Sequence, residues 1–235
     1  MELIGWLNGI SATGVLVINL IIGIFSFFKS IKLKARLLTA TSLTIFFVGL
    51  LWLGPTTDFL TILITQTNID PYWIYPLLSY MWAAPGIFFG MYIGGELLMP
   101  KKKWYLLTVF IIISIVYEIV LFMNPLGSFE FTVPGVDFPY GSDLIDTSSD
   151  YSWFTAYFLI VFILSILLFN GIGFLSKATK ATGVLKKKFL SLSFGFILFA
   201  VIVIFDALIP PGVLLSFVRF GIIVSSILLY IGIRT

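Results

Sequence analysis

Hydrophobic and polar positions along this chain do not alternate with the short periods of a soluble fold. Long apolar runs, each about the 20 residues needed to cross a bilayer, are separated by short charged or turn-rich segments. The pattern predicts seven spanning helices near 5–28, 37–57, 73–98, 104–124, 152–175, 188–208 and 212–232. The expected fold is thus an all-α seven-transmembrane helix bundle, a single domain over residues 1–235. The second run continues into LTILI at 60–64, with Gly54-Pro55 marking a kink. The first run lacks a basic leader and a cleavage site, so it reads as a retained helix.

Charge changes the picture by giving the spans a direction. Of the 14 basic residues, 13 fall in the turns after spans 1, 3 and 5 or at the C-terminus. They include Lys29 to Arg36, Lys101 to Lys103, Lys177 to Lys188, and Arg234. The other side carries Glu2, Asp58, Asp70, Glu130, Asp137 and the acids of the 124–153 loop. The positive-inside rule then predicts an outside N-terminus and a cytoplasmic C-terminus, the topology of rhodopsins and heptahelical receptors. The run KATKATGVLKKK reads as the longest cytoplasmic connection, its lysines attracting anionic lipid headgroups or an acidic partner.

Composition narrows the chemistry. Hydrophobic residues make up 60% and charged residues 11%, against about 25% charged in soluble domains; mean hydropathy is +1.11. The expected place is the cell membrane, with lipids as partners and no nucleic acid. There is no cysteine and no histidine. That removes disulfides, imidazole catalysis, histidine-ligated zinc or haem, and a phosphohistidine carried by this chain. No metal or cofactor is expected. Retinal proteins hold their chromophore through a last-helix lysine, and 212–232 has none.

Within span 3, Gly86, Gly90 and Gly94 recur every four residues, which predicts a smooth contact stripe at the centre of the bundle. Asn19 and Asn170 are expected to hydrogen-bond between helices. In the 124–153 loop, FEFTV alternates as a short strand does, and a small hairpin over the bundle mouth is expected. Asp143, Asp146 and Asp150 lack the spacing of an EF-hand and read as solvated, capping acids.

Three ionisable residues lie too deep to belong to the rim. Arg219 falls roughly 10 Å inside span 7, Asp206 about 6 Å inside span 6, and Glu118 about 9 Å inside span 4, at 1.5 Å per residue. The Pro210-Pro211 turn makes spans 6 and 7 neighbours, so Arg219 is expected to face inward and pair with Asp206. Whether Glu118 joins them is open at this point. Their roles divide among a buried pair that fixes two helices, a polar floor to an outward-facing cavity, and an ion path. Tyr80, Trp82 and Tyr157 lie deeper than an aromatic belt requires and are candidate pocket walls.

The layout of ARLLTATSLTIFFVGLLWLG (35–54), LLSYMWAAPGIFFGMYIGG (77–95), a basic turn, and a fourth span ending in FMNP (122–125) resembles a known family. It is that of the seven-helix sensory regions at the N-termini of prokaryotic histidine kinases and diguanylate cyclases. The resemblance implies sensing of a small or lipidic ligand, relayed by the last helix to a cytoplasmic output domain. The sequence ends at Thr235 with no such domain, so the output would come from a removed region or a separate partner. A sugar-transporter reading predicts two three-helix repeats with paired prolines and glutamines, but the chain's one glutamine is Gln66. No convergent catalytic set is evident, so an enzyme is not expected. A small-molecule or ion transporter and a non-sensory scaffold stay open, as does the oligomeric state.

Overall fold

The computed structural model describes residues 1–234; Thr235, on which the expected cytoplasmic end falls, lies outside the described residues. Among the described residues ten α-helices form the bundle: α1 (Leu3–Leu33), α2 (Arg36–Leu50), α3 (Leu53–Thr65), α4 (Ile74–Tyr80), α5 (Ala83–Leu98), α6 (Lys103–Met123), α7 (Phe154–Ser165), α8 (Gly173–Lys180), α9 (Gly183–Leu208) and α10 (Val213–Ile233). A π-helical stretch, Ile166–Ile172, joins α7 to α8. Six continuous or gently broken units are long and apolar enough to span a membrane. The bent pair α2–α3 makes a seventh where it counts as one.

Prolines explain two of the breaks. Pro55 and Pro85 have no N–H to give the carbonyl four residues earlier, and those carbonyls belong to Leu51 and Met81. The chain breaks at Leu51–Trp52 and again at Met81–Trp82. At the first, α2 and α3 diverge by 45°. At the second, the Tyr117 hydroxyl, fully buried on α6, donates to the Tyr80 carbonyl at 2.8 Å. This bond ties the fourth span to the broken third.

The bundle closes as a ring: α1 packs on α2 and α10, α2 on α5, α5 on α6, α7–α8 on α9, and α9 on α10. Helix α5 also touches the π-helical stretch and α8, which makes it the inner member. Small and polar residues form the buried faces. On α1 the buried set is Gly5, Asn8, Gly9, Ala12, Val15, Leu16, Asn19, Gly23, Ser26 and Ser30, a helical stripe. Ile10, Val17, Ile21, Phe25 and Phe28 are exposed. Apolar residues outside and small ones inside is the sorting expected in lipid, where no hydrophobic force drives helix against helix.

The glycine stripe is shorter than expected. A side chain at Gly94 would strike Asn170 and Phe169, and one at Gly90 would come within 3.1 Å of Ile166. At Gly86 the nearest atom would be Phe47 Cβ at 3.7 Å, an ordinary contact. Gly86 is therefore not a close-contact glycine; it lies on the wall of a cavity inside the bundle. Asn170 does bond between helices, its Nδ2 donating to the Gly90 carbonyl at 2.9 Å. Asn19 does not: its Nδ2 donates to Val15 on its own helix, and its role is to pack against Gly49.

The lysine-rich connection after span 5 is also not a loop. Helix α8 ends at Lys180 and α9 begins at Gly183, so Lys186 to Lys188 lie on a helix. Lysine is a good helix former and the helix continues past the apolar run. At the same end, Glu96 and Lys103 pair at 2.6 Å.

At the opposite end the 124–153 segment folds over the bundle. Strand β1 (Phe129–Phe131) pairs antiparallel with β2 (Thr147–Ser149), Glu130 opposite Ser148. The Phe129 ring stacks on Tyr80, centroids 4.3 Å apart. Asp58 of α3 anchors the segment. Its fully buried carboxylate accepts from Asn68 Nδ2 at 3.0 Å and from the backbone N–H groups of Ile69 and Ile145, each at 2.8 Å. Asn68 in turn accepts from the Gly141 N–H and donates to the Asp143 carbonyl. An acid read from sequence as one more charge on the outer side is the pin that fastens the cap.

Candidate functional site

A cavity of about 410 Å³ opens inside the bundle beneath this cap. Its walls come from α2, α4–α5, α7, α9 and α10, and Asp146, Thr147, Ser149 and Tyr151 roof it. The break between α4 and α5 places Tyr80 and Trp82 on the wall. The volume falls within the roughly 300–1,000 Å³ of small-molecule sites.

Arg219, buried on α10, is the hub of its polar end. Its Nε donates to Asp206 Oδ1 at 2.8 Å. Its Nη1 donates to the Asn8 carbonyl at 3.1 Å, to Asn8 Oδ1, and to Ser11 Oγ at 3.2 Å. Charge and polar groups from α1, α9 and α10 thus converge within the apolar bundle. Arginine suits this because its planar fork serves several acceptors at once. Nearby, the Ser216 hydroxyl bonds the Leu7 carbonyl at 3.3 Å and strengthens the α1–α10 seam.

Glu118 does not join this network. Helix α6 packs on α5 and α7, whereas α10 packs on α9, α1 and α2, so Glu118 and Arg219 stand on different sides of the inner helix. Its neighbour Tyr117 takes the inward position. Tyr157 also fails as a pocket wall. The residue is 55% exposed and its hydroxyl reaches back to the Tyr151 carbonyl at 3.0 Å. Helix α7 turns Ala156, Leu159 and Ile163 inward instead, and Tyr151 supplies the ring at the mouth.

The three loop acids separate in role. Asp150 accepts from the Ser152 N–H at 2.7 Å, which lowers its pKa from the ordinary value. Asp143 accepts from the Leu144 N–H. Asp146 lines the cavity; burial raises its pKa, opposed by the Thr147 N–H and by Arg219.

Sequence reading missed Asn8, Ser11, Tyr75, Ser225 and Ser226. The Ser225 and Ser226 hydroxyls and Trp82 Nε1 are buried at the cavity with no hydrogen-bond partner among the described residues. The signal for Asn8 was present: it falls on the small-residue stripe of α1, three residues before Ser11.

The fold and site define a multi-pass integral protein of the cell membrane, an all-α bundle around one polar-ended cavity. Comparison with protein-family models, curated proteins and solved structures finds no match in any of the three.

Proposed function

We propose that this protein is a seven-span, receptor-like sensor with its N-terminus outside and its C-terminus in the cytoplasm. It binds a small or lipidic ligand in the capped cavity and signals through a separate cytoplasmic partner. The observation that carries this reading is the cavity itself. It joins an apolar lower part to a polar end, and its walls belong to helices whose other ends reach the lysine-rich side. Arg219 supports the reading further, because it sits where α1, α9 and α10 meet. A ligand that shifts Arg219 would change how those helices pack. The likeness in layout to kinase and cyclase sensory regions points the same way.

The test is a density map of the protein purified in native lipid. Non-protein density is expected between α5, α7, α9 and α10. An empty cavity, in a protein whose stability no lipid extract or metabolite fraction alters, would leave a scaffold as the better description.

A further inference from the structure

The polar end of the cavity has an uneven balance of charge. Two carboxylates, Asp146 and Asp206, line it with one cation, Arg219. Nε of that cation serves Asp206 and Nη1 serves Asn8 and Ser11, which leaves only Nη2 without a hydrogen-bond partner among the described residues. An entering anion would meet that one nitrogen beside two acids. The carboxylates are less engaged. Asp206 gives one oxygen to Arg219, and its side chain stays 23% accessible. Asp146 meets Thr132 through its backbone, whose N–H donates to the Thr132 hydroxyl at 2.9 Å; the residue lines the cavity, with the Thr147 N–H beside its carboxylate. Tyr75, Tyr80, Trp82 and Tyr151 line the same cavity. Aromatic rings beside acids are the recognised chemistry for ammonium groups, which the ring faces attract electrostatically.

The lower half is different. Phe196, Ile166 and Leu229 line it, and Ser225 and Ser226 lie roughly 9 Å deeper along α10 than Arg219. Both serines are essentially inaccessible, and both hydroxyls lack a partner.

Resting on the sensor reading above, we infer that the ligand is an amphipathic organic cation. Its amine or quaternary ammonium head sits between Asp146, Asp206 and the aromatic rings, and its apolar tail runs down among Phe196, Ile166 and Leu229. Burial raises the pKa of the Asp146 carboxyl, which is the state of an acid whose counter-charge is incomplete. A bound ammonium would complete it.

The experiment uses the full chain in lipid nanodiscs, with calorimetric titration corrected by empty discs. The probes are octyltrimethylammonium, octanoate and octanol, which share a tail and differ in head charge. Saturable binding is expected for the ammonium and to be weaker for the other two. Asp146→Asn should weaken ammonium binding by about tenfold, and Tyr151→Leu, at the exposed mouth, by a few-fold. Glu130→Gln, on the exposed loop surface, should leave it unchanged. If octanoate or octanol binds more tightly than the ammonium, or Asp146→Asn and Tyr151→Leu both bind it as wild type does, the cation assignment fails while the cavity reading survives. If none of the three probes binds saturably, both fail.

Discussion

Arg219 and Asp206 meet at 2.8 Å across the short turn between α9 and α10. The pair is not isolated, because the same guanidinium also holds Asn8 and Ser11 of α1. Removing Arg219 therefore strips three helices of their shared donor, whereas removing Asp206 leaves Arg219 with its α1 partners. Breaking a buried pair from one side costs about 3–5 kcal/mol in soluble proteins, and snorkelling or water defects reduce that in lipid. Arg219→Met is expected to lower stability more than Asp206→Asn. The double variant should recover part of the loss, with a coupling above about 0.5 kcal/mol in a double-mutant cycle. Additive effects would mean that α1, rather than Asp206, is the partner that matters.

Asp58 gives a second prediction. Three donors converge on its buried carboxylate, and one of them, the Ile145 N–H, belongs to the segment that caps the bundle. Asp58→Ala leaves those donors unpaired, and the expected loss is about 2–4 kcal/mol. Proteolysis within 124–153 should accelerate as the cap comes loose. An unchanged cleavage rate would show that the β1–β2 pairing and the Phe129–Tyr80 stack hold the cap without it.

Sequence legibility followed the physics of each feature. Span positions were readable because the bilayer imposes a length on apolar runs. The break near Gly54-Pro55 was readable because proline acts locally. Arg219 and Asp206 could be paired from sequence because a short turn dictates proximity. Azimuth was not readable. Helix α7 is apolar on nearly every side, so nothing local showed that Tyr157 faces outward and Ala156 inward. Glu118 has the right depth, but depth alone does not choose a side of the bundle. Asn8 pairs with a residue more than 200 positions away, and only packing of α1 on α10 brings them together. The lysine run read as a connection shows the reverse limit: hydropathy reports where lipid ends, not where the helix does.

The two ends of the glycine stripe should respond differently. Gly94→Ala places a methyl group against Asn170, whose amide bonds the Gly90 carbonyl, and against the Phe169 ring. Overpacking of this kind costs about 1–3 kcal/mol. Gly86→Ala meets Phe47 at ordinary contact distance, and alanine is the better helix former. Thermal midpoints in lipid should fall for the first and hold or rise slightly for the second. Equal losses would mean that Gly86 packs against something other than Phe47.

Orientation is testable without reference to function. Single cysteines at Lys102, Lys186 and Ser142 suit an impermeant thiol reagent because the chain has no native cysteine. Ser142 is expected to label from outside intact cells, and the other two only after permeabilisation. Labelling of Lys102 and Lys186 from outside would invert the proposed topology and put the cavity cap in the cytoplasm.

Asp146 links stability to pH, and its surroundings decide the sign. Burial raises its folded-state pKa; the Thr147 N–H and Arg219 oppose this, while Asp206 and Asp143 reinforce it, and Tyr75 and Tyr80 share the same wall. An acid whose pKa is raised on folding stabilises the folded state fully below its unfolded value, about 3.9. That contribution is lost as pH rises through the folded-state value. The thermal midpoint of the wild type should therefore carry a component that declines as pH is raised from about 4. Asp146→Asn should flatten the decline in part, since Asp143, also raised by burial, contributes with the same sign. Ammonium binding should show the opposite dependence, weakening on acidification as Asp146 takes up its proton. A wild-type midpoint profile identical in slope to that of Asp146→Asn would show that this carboxyl titrates alike in the folded and unfolded chains, and the charge argument for a cationic ligand would lose one of its two acids.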